Sequence, residues 1–360
     1  MKFGSGDNLG TRVGICTRYD RHECSYVATI LADWLDSRGY DVTMYVLPQS
    51  RVVPQGNSWD TRHYHGSKVL FSDWCQHRDI ILWSVLPQAH QLQYLKCQGA
   101  CNYVLYDPHI PLNESEESYS SSDNVLALNN AGNERCRTTK TIHKSAYVPV
   151  MPSTPQYVTH NRSGGVPTVV WPIFDGDCLR YIWKKLVRRM SQFMASTNGE
   201  FKLKIVMSST GIPAEMLREF QVWRRRYKLV TLHTQRSVLW RELHYHGADV
   251  MFWPSTVENA MLRGLYAYAN GVPIVGIMAT PMGELLTANK HMAVQVEQDD
   301  CDRHGYVRDL SSDIIYESLL RRLRSVVQSP HSLIEASENV GQFMAARQRV
   351  FSAAMLKLFK

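Results

Sequence analysis

The chain has 360 residues, 44% hydrophobic and 20% charged, with a formal net charge of +7. That is the composition of an ordinary soluble protein long enough for two domains. Its longest apolar runs fall short of the roughly 18–20 residues of a spanning helix, and residues 1–8 lack the apolar core of a signal peptide. The sequence therefore predicts a cytoplasmic protein, free or peripheral at a membrane.

Residues 11–17 read as a strand and residues 25–38 as a helix with Val27, Ile30, Leu31, Trp34 and Leu35 on one face. Gly39 caps that helix before a strand over 41–46, so the chain opens as a βαβ unit with His22 and Glu23 in its first loop. Residues 48–68 are polar, with Pro48, Pro54, Gly56 and Gly66, and read as a loop in which His63 and His65 are solvated. A continuous apolar run over 79–85 predicts a buried parallel strand. A short helix over 89–97 follows, then a strand over 102–106 that ends at Asp107-Pro108-His109. The Ser- and Glu-rich residues 114–122 read as a flexible loop. A strand over 124–129, a helix over 134–144 and a strand over 146–151 complete a first domain of residues 1–151.

Residues 152–167, rich in Pro and Gly, read as a linker. A second domain, 168–335, is expected to hold strands over 168–174, 202–207 and 228–233, an amphipathic helix over 214–226 and a helix over 237–246. Helices over 314–327 and 334–360 close the chain, with 336–360 as the segment beyond the second domain. The eight cysteines are scattered without a Cys-x-x-Cys pair and read as reduced thiols. Cys97 and Cys101, one helical turn apart, read as packing residues rather than zinc ligands. Basic residues concentrate at Arg180, Lys184, Lys185, Arg188 and Arg189, and at Arg224, Arg225, Arg226 and Lys228. Such runs are solvated helix faces that also suit phosphates, anionic lipid or nucleic acid.

The most informative stretch is 248–276. A short apolar strand ends at Trp253, Pro254 and Ser255 close it, a helix is expected from about Glu258 to Asn270, Gly271 ends that helix, and a strand follows from Pro273. A helix that starts beyond the carboxyl end of a strand presents its N-terminal amides where an α/β sheet binds anions and nucleotides.

In residue order this stretch resembles the donor-site segment of retaining GT-B glycosyltransferases of glycosyltransferase family 4. Ala248-Asp249-Val250, Pro254-Ser255, Glu258 and Gly271-Val272-Pro273-Ile274-Val275 fall in register. Asn259-Ala260-Met261 replaces the family's Gly-Phe-Gly, and Tyr266 replaces its second Glu. The resemblance implies an α/β fold of two Rossmann-like domains facing a cleft, with the C-terminal helix crossing back to the first. It also implies transfer of a hexose or pentose from a nucleotide-sugar to a hydroxyl with retention of configuration and without a metal or other cofactor. Asp175-Gly-Asp177 then reads as a helix N-cap rather than a metal site.

By the same resemblance Glu258 contacts the donor sugar and His109 faces it as the second catalytic candidate. Ser255, Asn259, Ala260, Met261 and Leu262 approach the pyrophosphate, and Tyr266 stands where the ribose is bound. Thr280-Pro281-Met282-Gly283-Glu284 resembles a family turn in which Met282, Gly283 and Glu284 meet the base. The family's Arg and Lys for the diphosphate are missing, which leaves Arg180 and Lys185 as candidates; His22 and Glu23 are candidates on the acceptor side, beside a structural or solvated role. The acceptor is an envelope glycan or lipid at an anionic surface, or a hydroxymethylated base in DNA. The rival reading is a non-catalytic GT-B protein that binds a nucleotide or nucleic acid.

Overall fold

The protein is described by a computed structural model over residues 10–18, 23–48, 63–66, 68–107, 110, 112–152, 165–173, 177–197, 199–208, 212–235, 245–255, 260–279, 281–296 and 313–359. It divides into two compact units, Met1–Ser153 with Gln348–Lys360, and Thr154–Arg347.

The first unit is a seven-stranded parallel sheet. Its strands are β1 (Arg12–Thr17), β2 (Asp41–Val46), β3 (His63–His65), β4 (Ile80–Trp83), β5 (Cys101–Leu105), β6 (Asn124–Ala127) and β7 (Ser145–Tyr147), in the order β3-β2-β1-β4-β5-β6-β7. Helices α1 (Glu23–Asp36), α2 (Phe71–Cys75), α3 (Ala89–Cys97), α4 (Leu112–Ser121) and α5 (Asn130–Thr138) connect them. The second unit is a six-stranded parallel sheet of β8 (Thr168–Ile173), β9 (Lys202–Ser208), β10 (Val230–Gln235), β11 (Val250–Trp253), β12 (Ile274–Met278) and β13 (Ala293–Gln295), in the order β10-β9-β8-β11-β12-β13. Its helices are α6 (Asp177–Ser196), α7 (Ala214–Arg226), α8 (Leu262–Ala269), α9 (Gly283–Leu286), α10 (Asp313–Val327) and the part of α11 (Pro330–Leu358) up to Arg347.

Each sheet is covered on both faces, which is why its central strands are apolar without alternation. All four residues of β11 are buried, and Trp171 of β8 packs edge-on against Phe252 of β11 and Phe220 of α7. Each order also reverses direction once, between β1 and β4 and between β8 and β11, and the crevice at such a point is where doubly wound sheets take ligands.

At the opposite edge the register is pinned by three aspartates. The carboxylates of Asp79, Asp123 and Asp249 each accept the backbone N–H that opens or adjoins the neighbouring strand, from Arg12, Asn102 and Thr168, at 2.7 Å in every case. Each aspartate returns its own N–H to the carbonyl of that same residue. The Asp of the Ala248-Asp249-Val250 signature is thus a strand fastener at the amino edge of the sheet.

Several sequence expectations are corrected. Residues 112–121 are helix α4, not a flexible loop: Ser115, Ser118 and Tyr119 are buried, Ser118 Oγ donates to the Pro87 carbonyl at 2.6 Å, and Tyr119 Oη accepts from Asp107 N–H at 3.0 Å. Residues 63–65 form an edge strand paired with β2. The helix expected over 134–144 starts earlier, at Asn130, because Asn129 caps it by accepting from Gly132 N–H at 2.7 Å. Cys97 ends α3 and Cys101 opens β5, so they share no helix, and both are exposed. The helix expected over 237–246 lies outside the described residues up to 244.

The last helix is a single element of 29 residues. Its residues from Gln348 onward belong to the first unit, where Phe351 packs against Trp34 and Phe359 against Tyr40 and Tyr103. Tyr40 and Tyr103 also donate to its terminal carbonyls, at Phe359 and Leu358. Among the described residues no helix is long and apolar enough to cross a membrane.

Candidate functional site

The signature segment sits at the switch point of the second sheet. β11 pairs with β8 on one side and β12 on the other, so Pro254 and Ser255 emerge where the strand order reverses. Pro254 is buried and Ser255 half-buried. Glu258 and Asn259 lie outside the described residues. The chain resumes at Ala260 and Met261, both fully buried, and α8 begins at Leu262, four residues later than the sequence suggested.

Met261 is the reason. Its backbone is left-handed, φ 55° and ψ 30°, and it is the only non-glycine residue with positive φ among those described. A side chain in that region costs about 1–2 kcal/mol, so the conformation persists only where the surroundings impose it. Here burial of the whole methionine side chain does so. The residue stands where the family pattern has glycine, and its carbonyl accepts the first helical bond, from Leu265 N–H at 3.0 Å. The strained residue therefore sets where α8 starts, and with it the positive end of the helix dipole at the carboxyl edge of the sheet.

α8 is pressed closely onto the strands beneath it. A Cβ at Gly264 would lie 2.5 Å from Leu285 Cδ1 and 2.6 Å from Trp253 Cζ3, so only glycine fits there. Residue 264 escaped the sequence reading, because one glycine in a helical pattern carries no distance information. Tyr266 is half-buried near the middle of α8, and its carbonyl takes both the N–H and Nδ2 of Asn270. Gly271, at φ 68°, ends the helix as expected.

Beyond β12 the chain turns into α9. Met282 is buried, Gly283 N–H donates to the Ala279 carbonyl at 2.6 Å, and Tyr268 Oη donates to the Leu285 carbonyl at 2.9 Å. Burial of Tyr268 pushes its phenol well above the usual range, so it stays a donor. Glu284 pairs with Arg347 of α11.

Of the donor-site candidates, Ser255 follows β11, Ala260 and Met261 precede α8, Leu262 and Tyr266 lie on α8, and Met282, Gly283 and Glu284 stand at the start of α9. Of the diphosphate candidates, Arg180 falls in the first turn of α6, and Lys185 lies exposed further along it. In the first unit His22 and His109 lie outside the described residues, and Glu23 is the first residue of α1 rather than part of a loop. The switch point there is floored by buried hydroxyls, Ser84 Oγ donating to Thr17 Oγ1 at 2.7 Å. No cluster of three His, Cys, Asp or Glu suited to a metal ion occurs among the described residues.

No family model matches the chain, and no curated protein matches it significantly. Solved structures do. The chain is similar to a sucrose-phosphate synthase from Thermosynechococcus elongatus, at 14% identity over 97% of each chain and a TM-score of 0.62. It is similar to a trehalose-6-phosphate protein from E. coli bound with UDP-2-fluoro glucose, at 11% identity over 94% of this chain and 96% of that one, TM-score 0.58. WaaG, a glycosyltransferase involved in lipopolysaccharide biosynthesis, is 12% identical over 96% and 98%, TM-score 0.57. At these identities the likeness shows the fold, and the fold of this chain is GT-B.

Proposed function

We propose that the protein is a glycosyltransferase that moves a sugar from a nucleotide-sugar to a hydroxyl acceptor. The observation that carries it is the signature segment after β11, at the sheet's switch point, where a left-handed Met261 takes the place of the family's glycine and starts α8. The UDP-sugar bound by the structural relative from E. coli supports a nucleotide-sugar donor.

In this reading a hexose or pentose is transferred with retention and without a metal. The acceptor oxygen bonds to the anomeric carbon as the bond to the diphosphate breaks, and the acceptor proton leaves with the departing phosphate oxygen. Charge on the diphosphate is met by the α8 dipole and by basic side chains, with Arg180 and Lys185 as candidates. Glu258 and His109 hold the sugar, Ser255 and residues 259–262 line the diphosphate, Tyr266 meets the ribose, and residues 282–284 meet the base. His22 and Glu23 flank the acceptor. That acceptor is an envelope glycan or lipid reached at an anionic surface, in line with the WaaG likeness; a hydroxymethylated base in DNA is the other chemistry that the basic helices suit.

Tyr266, a single phenol in place of a carboxylate, favours a second reading in which the chain binds a nucleotide without turnover. Release of nucleoside diphosphate from UDP-, GDP-, ADP-, CDP- and dTDP-sugars, for wild type and Glu258→Gln, separates the two. Transfer predicts slow release from one donor and a loss of about a hundredfold or more in the variant. Binding of a nucleotide-sugar without release in either protein supports the second reading, and equal turnover in both removes Glu258 from the mechanism.

A further inference from the structure

Arg347 is the only charged residue on the described chain that is less than a tenth exposed, at 5%. Its guanidinium Nη1 donates to Oε1 of Glu284, whose side chain is 13% exposed. A pair at that depth adds little stability, since removing two ions from water costs about what their attraction returns. Its effect is geometric. The guanidinium ties one carboxylate oxygen of Glu284 to α11, and this carboxylate belongs to α9, a single turn of four residues.

The same turn is also held by Tyr268 Oη on the Leu285 carbonyl. α11, which carries Arg347, is seated on the second unit by three further bonds. Ser337 Oγ donates to the Gly271 carbonyl at 2.7 Å, Asn289 Nδ2 to the Ala336 carbonyl at 2.9 Å, and Asn339 Nδ2 to Asn289 Oδ1 at 3.2 Å. α8 and α11 thus each bond to α9.

We infer that Arg347 is a positioning residue for the donor nucleotide: through Glu284 it fixes the Met282–Glu284 backbone in the pose that receives the base. This rests on the proposed function and extends it to a residue 63 positions from the turn it orders. In this role Arg347 acts through Glu284, so its loss weakens nucleotide binding and raises KM while kcat changes little.

The test compares wild type, Arg347→Lys, Arg347→Met and Arg347→Met with Glu284→Met, by melting temperature and by calorimetric titration with UDP, GDP, ADP, CDP and dTDP. The single Arg347→Met change strands a buried carboxylate and lowers both the melting temperature and the affinity. The double change removes both charges, so the melting temperature recovers, while affinity stays about tenfold weak, the scale of losing an outer partner of a site. Arg347→Lys keeps the charge but loses the planar fork, and is expected to melt near wild type with weakened binding. Affinity that recovers together with stability in the double variant, or wild-type affinity in Arg347→Lys, makes the pair merely structural and overturns the inference alone. A wild-type chain that binds none of the five nucleotides overturns the proposed function and this role with it.

Discussion

Replacing Met261 by alanine and, separately, by glycine divides two effects that the native residue combines. Met261 is fully buried, so either change removes its packing, at a cost of about 2–5 kcal/mol. The two variants differ in the backbone. At φ 55° an alanine Cβ costs about 1–2 kcal/mol that glycine avoids, while glycine gives up roughly 0.5–1 kcal/mol in chain entropy. The balance favours glycine by about 0.5–1 kcal/mol, or roughly 1–4 °C for a unit of this size, the reverse of the order at a right-handed position. Scanning calorimetry of the three proteins is expected to rank them wild type, then glycine, then alanine. An alanine variant as stable as the glycine variant would refute the claim that a left-handed residue starts α8.

Gly264→Ala is expected to destabilise by about 1–3 kcal/mol through overpacking against Trp253 and Leu285, despite alanine's better helix propensity. A urea midpoint at or above wild type contradicts the close approach. Tyr266→Phe keeps the ring and removes the phenol; nucleotide affinity should fall about 3–10-fold with little change in melting temperature, and unchanged affinity would make Tyr266 a packing residue. The Arg12 guanidinium, helped by the Arg12 backbone N–H, holds the Asp79 carboxyl below the usual carboxylate range. A depressed folded pKa means stability that is present above the unfolded value of roughly 4 and is lost as pH falls through the folded one. Wild type should therefore melt slightly above Asp79→Asn at pH 7, by the small margin of an exposed pair, and the difference should vanish in strong acid. A gap that persists in acid strong enough to protonate Asp79 in the folded protein would show another cause.

Where residues are buried on both faces, sequence and structure agree closely. The run 79–85 announces β4 because a central parallel strand has no polar side, and the amphipathic helix over 214–226 is α7 with the same bounds. Gly271 marked the end of α8 because a left-handed cap favours a residue without a Cβ. α4 was illegible for the opposite reason: its buried side holds Ser115 and Ser118 beside Tyr119, with the Ser118 hydroxyl donating to the Pro87 carbonyl, and composition alone reads the serines as solvated. In residues 248–286 the order of residues located β11, α8 and the turn after β12, yet gave no geometry. Met261 looks like one more apolar helix residue, and its left-handed backbone is hinted at only by the family's glycine at that place. Gly264 and Arg347 act through contacts with residues distant in sequence, Leu285 and Glu284, which no local pattern records.

The most direct test of a nucleotide-sugar site in the second unit is a melting-temperature screen of the purified protein against the five nucleoside diphosphates and their common sugar conjugates. A ligand that binds only the folded state at a hundred times its Kd adds about 2.7 kcal/mol. One nucleotide and its sugar conjugate are expected to raise the transition by roughly 5 °C or more, with the others inert. No shift with any member of the panel would contradict a donor site built from β11, α8 and the turn after β12.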